Sequence, residues 1–183
     1  MPEAFPSHTI ESAPAGARRA MTAIQDHQGY LPDAVARLAN SPHTLDGFLK
    51  GNAIFESCSL DPIAREVLVL TIATRNGCHL CVAMHTARLT SLGADAGLIA
   101  ASRESKPLAD ERLDAVRTFA LQVLETTGDV GDEALQAFFA HGYTPQNALD
   151  VVLGIGTYTL STLANRLTGA PVDEQLLPFA WHG

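Results

Sequence analysis

An all-α fold of about seven or eight helices is what the sequence predicts, and three observations predict it. Polar residues that cap helices stand directly before prolines at Ser41-Pro42, Asp61-Pro62 and Thr144-Pro145, the arrangement that opens a helix. Apolar residues recur at spacings of three and four. No segment sustains the polar/apolar alternation of a half-buried strand.

Along the chain, residues 1–16, MPEAFPSHTIESAPAG, are rich in Pro and Ala without periodicity and read as an extended arm that packs on a neighbour or frays. Residues 17–183 read as one all-α domain, a length that one core can serve. Ala17 to His27 suits a first helix; GYLPD stops it, and Pro32 opens the next. In NSPHTLDGFLKGNAIFES, Ser41 caps, Pro42 takes the first helical position, and Leu45, Phe48, Leu49 and Ile54 form one stripe.

Asp61-Pro62 opens SLDPIAREVLVLTIATRNG, which ends at Asn76-Gly77. This stretch has a second reading, because VLVLTIAT, Asn-Gly and CHLCVAM in succession resemble a β-hairpin with a two-residue turn. The run's length, its capped proline start and its lack of polar alternation favour helix. Downstream, DERLDAVRTFALQVLETTG is an amphipathic helix from about Asp110 to Thr126, then comes the shorter GDEALQAFFAHG. TPQNALDVVLGIGTYTLSTLANRLTG runs from Thr144-Pro145 to near Gly169.

There is an internal echo: DPIAREVLVLTIAT aligns without gaps on TPQNALDVVLGIGT, matching at Pro62/Pro145, Val69/Val152, Leu70/Leu153, Ile72/Ile155 and Thr74/Thr157. Chance agreement between two buried helices and a true duplication both account for it. Ser161 and Ala164 stand where the first copy has Cys78 and Cys81.

Composition narrows the function. The chain of 183 residues is 46% apolar, with 12 Lys plus Arg against 20 Asp plus Glu and a formal charge of -8. Nucleic acid and anionic membrane surfaces are therefore disfavoured as partners. No basic start precedes an apolar stretch at the N-terminus, and no apolar run reaches the ~18 residues that span a bilayer, so a cytoplasmic location is expected. Three cysteines are too few for a disulfide framework, and a C-x-x-C in a reducing compartment points to catalysis or metal binding.

The chemistry gathers in REVLVLTIATRNGCHLCVAMH, which reads as apolar core, zinc site or redox centre. With a helix beginning near Gly77, Cys78 lies in its first turn, where free N–H groups and the dipole favour a thiolate. Cys78, Cys81 and His85 then fall within an arc of about 60°, and His85 is one turn from Cys81, close enough to trade a proton. Glu66 lies inside the preceding apolar helix and needs a partner there; Arg65 and Arg75 are structural candidates, and an antiparallel turn at Asn76-Gly77 could instead bring it beside the second helix. Cys58 reads as an inert core thiol, and His27, His43, His141 and His182 as surface or capping residues. Zinc remains a competitor, with Cys78, Cys81 and His85 as ligands and His79 or Cys58 as a fourth. Against it, a second C-x-x-C or H-x-x-H pair is absent, and three ligands on one helical face suit a tetrahedron poorly.

The pattern E-x11-C-x-x-C-x3-H, formed by Glu66, Cys78, Cys81 and His85 and flanked by GYLPDAVARLANSP and NRLTGAPVD, resembles the carboxymuconolactone decarboxylase superfamily, in its alkylhydroperoxidase D-like, peroxidase-related branch. The resemblance covers about Gly29 to Asp173 and implies a multihelical alkylhydroperoxidase D-like bundle. It implies a thiol-dependent alkyl hydroperoxide reductase with an antioxidant role, whose Cys78 and Cys81 cycle between dithiol and disulfide. Glu66 and His85 would be the proton relay. A dithiol or lipoylated protein is the implied electron donor, homo-oligomers (dimer, trimer or hexamer) are the implied assembly, and no resident cofactor or metal is expected. One position departs from the pattern: the alkylhydroperoxidase D histidine directly before the second cysteine is replaced by Leu80, with His79 after the first cysteine, so His79 is carried as a candidate relay. The alternatives are a thiol–disulfide oxidoreductase or redox sensor and a zinc-binding helical oligomer. Lactone decarboxylation is disfavoured because that branch lacks the cysteine pair.

Overall fold

The computed structural model describes residues 4–183; the start of the arm, residues 1–3, lies outside the described residues. Nine α-helices are present among the described residues: α1 (Ala15–Gln28), α2 (Asp33–Leu38), α3 (Pro42–Glu56), α4 (Pro62–Arg75), α5 (His79–Ser91), α6 (Ala96–Arg103), α7 (Glu111–Thr126), α8 (Gly131–Ala140) and α9 (Pro145–Thr168). A 3-10 helix, Glu174–Phe179, closes the chain, and no strand occurs among the described residues. The all-α expectation holds, while the count exceeds seven or eight. α6 is a two-turn element capped by Asp95 and the 3-10 turn has no buried residue, so neither has the periodicity that marks the longer helices.

The proline starts are capped as the sequence implies. Backbone N–H groups donate to Ser41 from Thr44 (3.3 Å) and to Asp61 from Ala64 (2.9 Å), and Thr144 and Asn147 form a reciprocal capping box. The arm packs on its own chain: Arg37 on α2 donates to the Phe5 carbonyl, Ser7 donates to Asp33, and Ala13 is buried beside Met21 and Leu45.

Helix α4 is the hub. From Glu66 to Ala73 every residue is buried, which one helix achieves only by having neighbours on all sides; here they are α5, α6, α7 and α9. Two apolar clusters divide around it. Val67, Leu68 and Ile72 pack with Phe55, Phe119, Phe138 and Tyr158, whereas Leu70 and Ala73 pack with Leu80, Val82, Leu89 and both sulfurs of the C-x-x-C. Gly154 permits the close crossing of α9 over α3 and α4: a Cβ there would stand 2.7 Å from both Leu68 and Phe55, far inside van der Waals contact.

Asn76-Gly77 resolves the hairpin ambiguity in favour of two helices. Gly77 turns with φ of +62°, a conformation that costs a residue without Cβ little, and the N–H groups of Asn76, Gly77 and Cys78 satisfy carbonyls at the end of α4. In the echoing segment Leu160 stands in place of Gly77, and α9 runs unbroken through that position, 24 residues in all. The first copy therefore makes a helical hairpin where the second makes one long helix.

Candidate active site

The α4–α5 hairpin places the motif residues. Cys78 is the N-cap of α5, with backbone φ -88° and ψ 94°, and its sulfur accepts the Cys81 N–H at 3.3 Å. Its Cα is 5.3 Å from that of Cys81, inside the disulfide range, and the two residues are joined as a disulfide. Both are buried, at 2% and 3% exposure. A sulfur at this cap faces free N–H groups and the positive end of the helix dipole, which favour its anionic form.

One turn along α5, His85 is also buried, and its Nδ1–H donates to Glu66 Oε2 at 2.7 Å. A carboxylate can only accept, so Glu66 fixes the imidazole tautomer and leaves Nε2 as the basic nitrogen. Arg88 binds the other Glu66 oxygen, with Nε 3.0 Å from Oε1, and reaches Glu56 on α3 with its second arm at 2.7 Å. The buried carboxylate is thus balanced by a half-exposed guanidinium, which lowers the cost of keeping it inside. On the far side the His85 ring stands edge-on to Tyr158 at 5.2 Å and 83°. Burial, reinforced by the Glu66 and Glu56 carboxylates, pushes the Tyr158 phenol upward, so it stays protonated and donates to Asn52 at 2.7 Å.

The structure brings Glu66 and His85 into contact and sets Cys81 one turn from His85. It does not bring His79 to this pair: His79 is exposed, and its Nδ1–H donates to the Trp181 carbonyl at 2.8 Å with the two rings 5.2 Å apart. His79 therefore ties down the chain's C-terminal segment. Arg103 does the same from α6, donating to the carbonyls of Phe179 and Ala180, while the Trp181 indole N–H returns to the Arg103 carbonyl.

Of the structural partners considered for Glu66, Arg65 instead turns to the Leu60 carbonyl and Glu56, and Arg75 is exposed. Cys58 packs against the opposite core cluster, and burial pushes its thiol up, the behaviour of an inert sulfur. Among the described residues no three His, Cys, Asp or Glu side chains converge to hold a metal, and no helix is long and apolar enough to cross a membrane.

Two residues escape the sequence reading. Arg88 was visible only as the residue one turn beyond His85 on the same helix. Asn165, on α9, is buried at 5% exposure, and its Nδ2 donates to Cys81 Sγ at 3.4 Å. Its signal was a set of polar residues, Thr157, Ser161, Thr162 and Asn165, that share the buried face of α9. Beside them a recess of about 260 Å³ opens to Cys78, lined also by Gly77, Asn165 and Arg166.

The carboxymuconolactone decarboxylase family model matches residues 42–126, the segment that carries Glu66, Cys78, Cys81 and His85. No curated protein shows significant similarity to the chain. Among solved structures, an alkylhydroperoxidase AhpD core from Ralstonia eutropha, described as an uncharacterized peroxidase-related protein, aligns with a TM-score of 0.82 at 21% identity. The alignment covers 94% of this chain and 93% of that one. A cysteine-to-alanine form of the debrominase Bmp8 in complex with 2,3,4-tribromopyrrole gives 0.74 at 13% identity, over 98% and 96%. A protein of unknown function from Agrobacterium tumefaciens gives 0.60 at 20%, over 74% and 96%. At these identities the likeness is one of fold, shared by proteins with differing described roles.

Proposed function

From the family match over residues 42–126 and the geometry of the α4–α5 hairpin, we propose that the chain is a member of the carboxymuconolactone decarboxylase superfamily and a thiol-dependent hydroperoxide reductase. The observation that carries this reading is the buried Glu66–His85 hydrogen bond one helical turn from Cys81, within a C-x-x-C that begins α5. In the reduced enzyme His85 Nε2 takes the proton from the Cys81 thiol, directly or through water. The thiolate attacks the outer oxygen of ROOH, the O–O bond breaks, and the alkoxide takes up a proton to leave as ROH. Cys81 is then a sulfenic acid. Cys78 attacks its sulfur, water departs, and the disulfide forms. The sum is two thiols and ROOH converted to a disulfide, ROH and water; an external dithiol restores the two thiols.

Quantifying free thiols after exposure to an organic hydroperoxide tests this. Two thiols per chain should disappear and return on treatment with dithiothreitol, with Cys58 unaffected. Peroxide consumption no faster than that of free glutathione, with the pair still exchanging with dithiols, would leave the second reading in its place. That reading, a thiol–disulfide oxidoreductase or redox sensor, is favoured by the recess that reaches Cys78.

Assembly as a homo-oligomer belongs to the same proposal. The outer face of α9 presents Leu149, Val152, Leu160, Leu163 and Leu167, which are 39% to 73% exposed, in helical register. A contiguous apolar stripe of this kind is costly in water and suits a second copy of the chain. Sedimentation should give a mass that is a multiple of 19.4 kDa, and Leu163→Glu should drive it toward the monomer; a monomeric parent protein would remove this part of the proposal.

A further inference from the structure

We infer that the two cysteines divide the regeneration step between them: a small dithiol entering the recess attacks Cys78, and Asn165 holds the Cys81 sulfur as it leaves. This rests on the redox reading of the C-x-x-C proposed above. Four observations support it. Cys78, and not Cys81, lines the recess, together with Gly77 and Arg166. Gly77 has no side chain to screen the sulfur next to it. Cys81, as buried as Cys78, faces α9, where the Asn165 amide donates to it at 3.4 Å. A disulfide sulfur carries no proton, so only the NH2 end of the amide can make that bond.

The amide is itself fixed by burial, at 5% exposure, and its Oδ1 is a buried acceptor with no partner among the described residues. A side chain that gives up one hydrogen bond in the interior yet spends its N–H on a sulfur is poorly explained by helix packing alone. It is well explained if that sulfur becomes an anion during turnover, because a hydrogen bond to a thiolate is far stronger than one to a neutral disulfide. Arg166, whose guanidinium is held by the Asn76 carbonyl at the recess, sets a positive charge where the attacking thiolate arrives.

The step balances as follows. The donor thiolate attacks Cys78 Sγ, the Cys78–Cys81 bond breaks, and Cys81 departs as a thiolate facing Asn165. The donor's second thiol, after losing its proton, attacks the donor sulfur of the mixed disulfide and releases Cys78 as a thiolate that is reprotonated. The dithiol is oxidised to a disulfide and the protein gains two electrons. Asn165 is a positioning residue in this scheme, and the Cys81 thiolate it stabilises is the species that meets the next peroxide.

The test is made without peroxide, so its outcome is separable from that of the peroxidase reading. In a Cys78→Ser background, the Cys81 thiol is titrated by thiolate absorbance with and without Asn165→Leu. The Leu side chain is expected to raise the Cys81 pKa by about one unit, and Asn165→Asp by more, since a carboxylate opposes the thiolate. In the chain with both cysteines, reduction by dithiothreitol should slow about threefold as the leaving group becomes more basic. With the single-cysteine variants, Ellman's reagent should modify Cys78 much faster than Cys81. Thermal melting confirms that each variant is folded; if Asn165→Leu fails to fold, the near-isosteric Asn165→Asp carries the test. A Cys81 pKa unmoved in a folded variant, or Cys81 modified as fast as Cys78, overturns the inference while leaving the redox pair intact. Failure of the pair to cycle at all overturns both.

Discussion

Replacing Cys81 with serine is expected to lower hydroperoxide turnover by about a thousandfold or more, and replacing Cys78 should lower steady-state turnover as severely. The two losses differ in kind. Serine at 81 removes the attacking thiolate, so no oxidised species forms. Serine at 78 leaves Cys81 able to react once, and the sulfenic acid then persists because nothing resolves it; a sulfenic-acid probe should label Cys81 in that variant alone. Cys58→Ser should retain full turnover, since that thiol is half-buried against the far core cluster. Undiminished turnover in both Cys78→Ser and Cys81→Ser would sink the peroxidase proposal.

Glu66 is where the next largest effect is expected. Glu66→Gln keeps the size of the side chain and removes its charge, so His85 loses the carboxylate that orients Nδ1–H, and turnover should fall about a hundredfold. Glu66→Ala removes the hydrogen bond as well. Arg88 is half exposed and can turn to water, so the cost concentrates on His85, buried with an unsatisfied N–H; about 3 kcal/mol of unfolding free energy should be lost in urea titrations. Glu66→Gln at parent turnover would show that the pair is structural.

The parts of this fold that could be read from the chain are those set locally. Ser41-Pro42, Asp61-Pro62 and Thr144-Pro145 open helices because cap and proline act within a single turn, and each helix begins at that proline. The site was legible in the same measure: Cys78, Cys81 and His85 share a face of one helix, so their proximity follows from spacing. Glu66 meeting His85 depends on how two helices fold back at Gly77, and Arg88 completing the pair depends on where α3 ends. Asn165 reaches Cys81 across 84 positions, through the crossing of α9 over α4 that Gly154 allows. No local rule carries that information. His79 shows the reverse: its position suggested a relay, but its neighbour is the Trp181 carbonyl, supplied by a segment with no periodicity of its own.

The cap of α5 has a thermodynamic consequence. Most helices here begin on an oxygen or without a side-chain cap, but α5 begins on sulfur, with the Cys81 N–H donated to Cys78. Reduction turns that acceptor from a disulfide sulfur into a thiol or thiolate, and with it changes the strength of the bond that starts the helix. Folding and electron transfer thus form a closed cycle sharing one hydrogen bond. Whatever free energy the reduced cap adds to the folded state must reappear, equal in size, as a shift of the protein's redox equilibrium relative to the unfolded chain.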